Sequence, residues 1–530
     1  MSKKSILIIL CSVLSVMVTQ ISKAAVIHVT TTHDNVPGSL RAAITTVNNN
    51  GEDNTIYLPA GTYMLSGDAM EDANVSGDLD INTDRKLTII GSGKTKTFID
   101  GNSIDRVLHI LNGTVTITDL TIRKGKAPNG LGLGWGRAMS GGGIYNCGNL
   151  TLTRCVIKNN AAGIGGDAGN IGASDDGGHG GGIYNIGELT LDNCTIIGNR
   201  AGNGGDNNKS ERPGDGGYGG GICNYRILTI NNCTVTGNSA GNGGSSDDNI
   251  MSGDGGHGGG IYSTDVLNMV NCTISYNKAG DGGMCDCATD GDGGPGGGIC
   301  NDGNLTMSGC TVNANNSGSN LQGSGVGGGI YNSAYLTLTN CTISGNQAGR
   351  DRFQNGGGLF NEERFNGGSS LLINVTAANN IAGGILNYGD IRLINSIVVN
   401  NVVDSGDGPD CVGTFDWVCY SMIKDTRDCI LTVFQKANIL GQDALLGPLA
   451  DNGGPTKTHA LLLGSPAIDA GNSSGLFTDQ RGYKRPINIP GIPNVSDGAD
   501  IGAYEFIAPY STAGATSYSG SESKQATLKR

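Results

Sequence analysis

Aromatic side chains and long apolar runs are scarce in this sequence. Aromatic residues make up 5% of the 530 residues, and there are only two tryptophans. Beyond Val18 no stretch reaches the roughly 18 consecutive apolar residues that a membrane-spanning helix needs, so we expect no transmembrane helix in the mature chain. A formal net charge of −13 argues against nucleic acid and anionic membrane surfaces as partners.

Glycine is abundant instead, with 92 residues, and such a composition would indicate disorder if it had no period. It has one. GGGIYN at 141–146 recurs at 180–185 and returns as GGGICN at 219–224; seven full copies start 39, 39, 39, 38, 31 and 29 residues apart. Most copies are followed by a second block such as LTLDNCTI at 189–196. A repeat of this length indicates a solenoid.

Each repeat contains three short segments that are rich in β-branched residues and alternate in polarity, which is typical of strands. In LTLDNCTI the alternation slips at Asn193, and asparagine tolerates the left-handed backbone of a sharp bend. Three strands make one rung, so the sequence predicts an all-β fold, a right-handed parallel β-helix. The variable remainder of each repeat is expected to form a surface loop after the third strand.

Six cysteines recur at one position of the repeat, namely Cys155, Cys194, Cys233, Cys272, Cys310 and Cys341. Parallel stacking points their Cβ atoms side by side, whereas a disulfide needs them to converge, so we expect free, buried thiols. Cys411, Cys419 and Cys429 lie past the main repeats, where a disulfide between two of them stays open.

Both ends of a solenoid need a cover. Leu40, Ile44 and Val47 recur at helical spacing within 37–50 and predict an amphipathic capping helix. After about residue 440 the repeat is lost, and an irregular segment is expected to cover the other end, with an ion-pair network. Its predicted members are Asp479, Arg481, Arg485, Asp500 and Glu505.

The sequence begins like a secretion signal, because Lys3 and Lys4 precede a short apolar stretch and Ala24 ends a small-residue cleavage site. We therefore expect a protein that is secreted or displayed on the outer cell surface. The predicted organisation is a signal peptide at 1–24, an N-terminal cap with the first rungs at 25–140, the repeat β-helix at 141–440, a C-terminal cap at 441–508 and a disordered tail at 509–530.

Several segments resemble those of secreted bacterial β-helix proteins. Residues 30–65, with GSLRAA at 38–43, are similar to an N-terminal segment that carries a CSLREA-type motif, although its Cys and Glu are replaced. LGPLADNGGPTKTHALLLGSPAIDAG at 446–471, TDQRG at 478–482 and DIGAYEF at 500–506 look like the choice-of-anchor Q domain. The middle repeats are similar to those of polymorphic outer-membrane and adhesin-like proteins. The resemblance implies secretion and cell-surface display.

The loops carry a repeated D-G-G-x-G-G-G motif that begins at Asp176, Asp215, Asp254 and Asp292. If these loops stack as the strands do, neighbouring carboxylates lie about 5 Å apart and repel one another. A shared cation would relieve the repulsion, and calcium prefers hard oxygen ligands, so this aspartate ladder is a candidate calcium site. The alternative is an Asx-turn in which each aspartate caps its own loop.

A second candidate site is a strip of aromatic side chains next to the inward isoleucines. Tyr145, Tyr184, Tyr262 and Tyr331 share this position, and alternation turns them outward. An exposed aromatic strip would suit stacking on sugar rings. Cys223 and Cys300 hold the same position in other rungs, which indicates partial burial.

The leading hypothesis is a non-catalytic, adhesin-like scaffold that presents Gly/Asp-rich loops to glycans, matrix or the surface of host or neighbouring cells. The alternative is a β-helix polysaccharide lyase or glycoside hydrolase. The aspartate ladder does not decide between them, since its regular spacing fits both the retaining and the inverting carboxylate separations. A cluster of acids with a fixed basic residue on one strand face would favour the enzyme; mobile Gly/Asp loops would favour the scaffold.

Overall fold

The computed structural model describes residues 24–508, except 133–137, 169–172, 208–211, 247–250, 286–289, 321–322, 324, 350–354, 363–368, 404–405 and 408. The predicted signal peptide, apart from Ala24, and the predicted tail at 509–530 lie outside the described residues. Within the described part, no helix is long and apolar enough to cross a membrane.

The chain forms a right-handed parallel β-helix, as predicted, in which three columns of strands stack rung upon rung. The first column contains Ile144–Asn146, Ile183–Asn185, Ile222–Asn224, Ile261–Ser263, Ile299–Asn301, Ile330–Asn332, Leu359–Asn361 and Ile385–Asn387. The second column contains Ala25–His28, Asn54–Leu58, Asn149–Thr153, Glu188–Asp192, Ile227–Asn231, Val266–Val270, Asn304–Ser308 and Asp390–Ile394. The third column contains Gly61–Met64, Thr97–Asp100, Thr121–Arg123, Val156–Lys158, Thr195–Ile197, Thr234–Thr236, Thr273–Ser275, Thr311–Asn313, Ile397–Val399, Met422–Ile423 and Ile439–Leu440.

Longer strands bend from one column into the next, and they are Leu79–Gly91, Leu108–Thr118, Tyr335–Ser344, Ser369–Ala378, Cys411–Cys419 and Asp428–Lys436. Two antiparallel hairpins stand outside the columns: Val402–Val403 with Gly406–Asp407, and Leu446–Ala450 with Thr458–Leu461.

The predicted bend between the second and third columns is confirmed. Asn193 adopts a left-handed φ of 53°, and the equivalent residues of other rungs do the same: Arg154, Asn232, Asn271, Gly309 and Asn340. The bend keeps both Leu191 and Cys194 inward, with at most 2% of either residue exposed. The cysteine column is also free and buried as predicted, and Cys194 N donates to Cys233 Sγ at 3.1 Å. A disulfide joins Cys411 to Cys429.

A ladder of buried asparagines follows the third column and was not predicted. Each side-chain amide donates to the Oδ1 of the next member at 2.9–3.0 Å. This asparagine ladder comprises Asn160, Asn199, Asn238, Asn277, Asn315, Asn346, Asn380 and Asn401. It ends where Asn401 donates to Asp410 Oδ1 at 2.8 Å. The ladder satisfies polar groups at the corner of each rung, where strand pairing alone cannot do so.

In the part of the chain that the structure describes, the glycine-rich loops form hydrogen-bonded layers. Gly202 N donates to Gly178 O at 2.8 Å, Gly217 N donates to Gly202 O at 2.7 Å, and the series continues from rung to rung. We call this the glycine slab, and its buried members are Gly163, Gly178, Gly202, Gly217, Gly241, Gly256, Gly280, Gly294, Gly318 and Gly325. A Cβ on Gly202 would lie 1.7 Å from Gly163 O, so glycine is required by close packing.

The helix Leu40–Asn50 packs its predicted residues Leu40, Ile44 and Val47 into the core, where at most 3% of each is exposed. It begins at Ser39, whose side chain accepts from Ala42 N at 3.1 Å. Arg41, 2% exposed, pairs with an aspartate and donates to backbone carbonyls of the first rungs, which fixes the helix over the N-terminal opening.

The irregular C-terminal segment contains the predicted ion pairs, with Arg481 at 2.6 Å from Asp479 and Arg485 at 2.7 Å from Glu505. It lies along the flank of the solenoid, where its polar side chains form hydrogen bonds with residues of the third column. Gln480 Nε2 donates to Cys310 O at 3.2 Å, for example. The terminal strand Asp428–Lys436 stays largely exposed, which differs from the expectation that this segment covers the end of the solenoid.

Candidate functional site

The strand face at the N-terminal end of the first column carries a cluster of ionisable side chains. Asp80, His109 and Tyr145 are register partners on consecutive rungs, so their side chains share one outward face. Four further residues surround them, and together these seven form what we call the N-terminal cluster: Asp72, Asp78, Asp80, Asp105, Arg106, His109 and Tyr145. Sequence analysis did not predict this site.

Arg106 holds the inner half of the cluster in place. Its Nε lies 2.7 Å from Asp78 Oδ2 and 4.0 Å from Asp105 Oδ1, and both carboxylates are fully buried. Its guanidinium also lies 5.7 Å from the ring centre of Tyr145, within cation–π range. Burial raises the pKa of Asp78 to about 7; the neighbouring carboxylates of Asp105 and Asp80 add to this, and Arg106 opposes it.

His109 lies between the buried carboxylate of Asp80 and the exposed carboxylate of Asp72. Its Nδ1 lies 3.0 Å from Asp72 Oδ1 and 3.4 Å from Asp80 Oδ1, and its ring packs edge-on against Tyr145 at 5.0 Å. Burial disfavours the charged imidazole, but the interactions of the ring with the Asp80 carboxylate and with Cys147 outweigh this effect and raise the pKa of His109 to about 9. The Asp72 side chain is 63% exposed, so solvent reaches the cluster from its side.

An aromatic column leads away from the cluster along the solenoid axis. Tyr145 and Tyr184 lie 4.9 Å apart, and both are half-buried. Tyr218 stacks between His179 at 4.9 Å and His257 at 4.4 Å on the adjoining loop face. Burial raises the pKa of the Tyr145 phenol.

The predicted aromatic strip is therefore accessible mainly at its N-terminal end. Tyr262 and Tyr331, its other two members, are each 7% exposed. Tyr262 donates its hydroxyl to Asp302 Oδ2 at 3.0 Å, and Tyr331 donates to Glu362. Glycan binding by this strip stays a prediction, and Tyr145 and Tyr184 offer most of the surface that could take part.

The aspartate ladder is stacked as predicted, but its carboxylates serve the backbone. Asp176 Oδ1 accepts from Asp215 N at 2.9 Å, Asp215 Oδ1 from Asp254 N at 2.8 Å, and Asp254 Oδ1 from Asp292 N at 2.8 Å. Each aspartate thus caps the next rung, and not its own loop as the Asx-turn alternative supposed. Arg212 Nη2 lies 3.1 Å from Asp215 Oδ1 and 2.7 Å from Asp254 Oδ2.

A neighbouring column of the loops shows that charge is not needed for this capping. Asn203 Oδ1 accepts from Asn242 N at 3.0 Å, and Asn242 Oδ1 accepts from Asp281 N at 3.1 Å. Asparagine and aspartate therefore fill the same role at equivalent positions. Calcium binding by the aspartate ladder stays a prediction, and the ladder has a structural function without it.

No family model matches this chain, and no curated protein matches it. Among solved structures, it is similar to pectate lyase Pel9A, with 14% identity over 91% of this chain and 96% of that one and a TM-score of 0.35. It is similar to the A-module of mannuronan C-5 epimerase AlgE6 from Azotobacter vinelandii, with 12% identity, 76% and 96% coverage and a TM-score of 0.32. A third is a mannuronic acid specific polysaccharide family 6 lyase from human gut microbiota, with 13% identity, 79% and 82% coverage and a TM-score of 0.27.

The hypothesis of a non-catalytic, adhesin-like scaffold is wrong as the leading interpretation. The similar structures are two lyases and an epimerase. The structure meets only in part the condition that the sequence analysis set for the enzyme: Arg106 pairs with Asp78 in the N-terminal cluster, but both residues precede the strands that carry His109 and Asp80.

Proposed function

We propose that this chain is a carbohydrate-active enzyme that cleaves a polysaccharide at the N-terminal cluster. The observation that carries the proposal is the arrangement of this cluster: Asp80, His109 and Tyr145 share one face of three consecutive rungs, and three further carboxylates and the Arg106 guanidinium adjoin them from the segments before these strands. Proton donors and acceptors with shifted pKa values, next to the exposed carboxylate of Asp72, are typical of functional sites.

The chemistry follows from which groups face outward. Cleavage of a glycosidic bond needs one group that accepts a proton and another that donates one to the leaving oxygen, in hydrolysis as in β-elimination. Asp72 supplies an exposed carboxylate, and His109 and Tyr145 supply donors within one or two rung spacings of about 4.8 Å. The ion pair with Asp78 holds the Arg106 guanidinium, and therefore its positive charge, in a fixed position beside Tyr145.

A polymeric substrate is supported by the aromatic column that starts at the cluster. Tyr145 belongs to both, and Tyr184 follows one rung later at 4.9 Å. A chain of sugar rings lying along the solenoid axis would place one ring over the cluster and the next rings over these half-buried aromatic faces. This direction follows the strand register, which is unbroken from Asp80 to Tyr184.

The test is a screen of the purified protein against polyuronates, such as pectate and alginate, and against neutral polysaccharides. Elimination produces an unsaturated uronate that absorbs short-wavelength ultraviolet light together with a new reducing end, whereas hydrolysis produces the reducing end alone. We expect one of these products with at least one polymer. If every polymer keeps its chain length under prolonged incubation at several pH values, the protein does not cleave polysaccharides.

The setting of this activity is part of the same proposal. Export through the signal peptide at 1–24 and a secreted or cell-surface location are supported by the leader sequence. Membership of the CSLREA-type and choice-of-anchor Q-type group is supported by the matching segments at both ends. In the structure these segments supply the capping helix with its buried Arg41 and the C-terminal ion pairs. The five-part division of the chain is proposed with them, with 441–508 as a segment that covers the flank of the third column.

A further inference from the structure

Three atoms of the N-terminal cluster are spaced as the ligands of one metal ion. Asp72, Asp80 and His109 each offer one ligating atom, and these atoms all lie within 4.8 Å of one another. The His109 Nδ1 atom is 3.0 Å from Asp72 Oδ1 and 3.4 Å from Asp80 Oδ1. Bonds of about 2.1 Å to a common ion give ligand–ligand separations of about 3.0 Å in octahedral and about 3.4 Å in tetrahedral geometry. The two separations from His109 therefore match these geometries, and the Asp72 and Asp80 oxygens lie within 4.8 Å of each other.

A buried oxygen aimed at this point has no hydrogen bond. Asp80 is 1% exposed, and its Oδ1 makes no hydrogen bond; the nearest cationic atom is His109 Nδ1 at 3.4 Å. The other oxygen of the same carboxylate accepts from Asn74 N at 2.9 Å, which fixes the direction of Oδ1. Buried polar atoms are rarely left in this state, and a carboxylate oxygen that serves as a metal ligand is one of the few that needs no hydrogen bond.

We infer that Asp72, Asp80 and His109 form a binding site for a divalent transition-metal ion of the zinc(II) or cobalt(II) type. One imidazole nitrogen with two carboxylate oxygens suits these ions, whereas calcium takes oxygen ligands. Asp80 and His109 come from rigid paired strands, and the exposed Asp72 leaves a side of the ion open to solvent. The site is distinct from the predicted calcium ladder in the loops.

The inference deepens the proposed function, since the ion would lie where the sugar is proposed to bind, but its test uses no polysaccharide. Chelator-treated full-length protein is titrated with cobalt(II), whose visible absorption reports coordination by protein ligands, and zinc(II) is then added in competition. We expect one equivalent of cobalt(II) to bind at the cluster and zinc(II) to displace it.

Variants locate the ion. Asp72→Asn removes a ligand from an exposed side chain, so the fold is not at risk, and it should weaken cobalt(II) binding at least tenfold. His109→Gln should do the same. The matched control is His257→Gln, a half-buried histidine on the loop face, which should bind as the wild type does. Circular dichroism of each variant without metal verifies the fold.

Three outcomes would overturn the inference: wild-type protein with no cobalt(II) absorption change, Asp72→Asn and His109→Gln that bind as tightly as the wild type, or an equal loss in His257→Gln. A protein that binds the metal in this way but cleaves no polysaccharide would leave the metal site standing and refute the proposed function. A protein that cleaves a polysaccharide but binds no metal would refute the metal site and leave the proposed function standing.

Discussion

Replacing one member of the asparagine ladder should open the solenoid locally, and the cost can be worked out from its bonds. Asn238 Oδ1 accepts from Asn199 N and Asn199 Nδ2, both at 3.0 Å. Its Nδ2 donates to Ile196 O and to Asn277 Oδ1, also at 3.0 Å. Asn238→Ala removes all four bonds in a site that is 1% exposed. At about 1 kcal/mol for each bond, the loss is about 4 kcal/mol.

The assay is amide hydrogen exchange measured by mass spectrometry under native conditions, because long repeat arrays do not unfold in one step. A loss of about 4 kcal/mol corresponds to exchange that is faster by nearly three orders of magnitude. We expect this acceleration in peptides from the strands Thr195–Ile197 and Thr234–Thr236, which adjoin Asn238. Peptides from the capping helix should exchange as in the wild type.

Two further variants separate the hydrogen bonds from the shape of the side chain. Asn238→Asp keeps the shape but turns the donor into an acceptor that faces Ile196 O and Asn277 Oδ1, so it should cost at least as much. Aspartate is tolerated at position 410, after the last asparagine, because its Oδ1 only accepts hydrogen bonds there, from Asn401 N and Nδ2. Asn231→Ala, a half-buried asparagine of the same rung, should change exchange little. An Asn238→Ala protein whose exchange differs from the wild type by less than tenfold would refute the reasoning.

Gly202→Ala would place a Cβ 1.7 Å from a backbone oxygen and should destabilise the glycine slab by well over 1 kcal/mol. The control Gly447→Ala meets only ordinary contacts at 3.5 Å. The melting temperatures of the two variants measure the difference, and equal shifts would contradict the close packing at Gly202. Replacing Asp215 and Asp254 together by Asn should keep the fold, because asparagine can accept the same backbone hydrogen bonds. If the aspartate ladder binds calcium, the double variant should lose the calcium-dependent rise in melting temperature that the wild type shows. A wild-type melting temperature that is the same in chelator and in millimolar calcium would refute calcium binding. Burial raises the pKa of Asp410 to about 6, so between pH 3.8 and 6 the folded state keeps a proton that the unfolded chain has released. The stability that this proton contributes is fully present below pH 3.8 and is lost as the pH rises from 3.8 to about 6. The wild type should therefore lose stability relative to Asp410→Asn over this window in denaturant titrations, and a constant difference would disprove the assignment.

The repeat period predicted the rungs because a solenoid depends on local pattern. The bend at Asn193, the inward Cys194 and the helix around Ile44 all follow from alternation, helical spacing and the left-handed tolerance of asparagine. Each of these is read within one repeat or one short segment, so a single sequence contains the needed information.

Two features that depend on contacts between rungs were missed, namely the asparagine ladder and the layers of the glycine slab. Asn238 is a polar residue beside a loop in the sequence, and only the stacked neighbours Asn199 and Asn277 show that its amide is buried and paired. Glycine content indicated flexible loops, but the same residues pack into layers when rung-to-rung hydrogen bonds form. Composition does not distinguish these two outcomes.

The N-terminal cluster was missed for a related reason. Asp80, His109 and Tyr145 are separated by unequal intervals before the regular repeat begins, so no period brings them to attention. Their shared face becomes visible only through the strand register, in which Asp80 pairs with His109 and His109 with Tyr145. One signal was present: GDLDI at 77–81 and RVLHI at 106–110 each place ionisable residues beside buried leucines in a strand.

The most direct test of the account is the effect of Tyr145→Phe on kcat/KM for whichever polysaccharide the wild type cleaves. The variant removes one hydroxyl from the cluster and leaves the ring, its packing on His109 and its place in the aromatic column. We predict a fall of about 100-fold, as expected for loss of a group that takes part in proton transfer. Tyr335→Phe, on an exposed tyrosine of the second column, should retain full activity. Equal kcat/KM values for wild type and Tyr145→Phe would contradict the placement of the reaction at the N-terminal cluster.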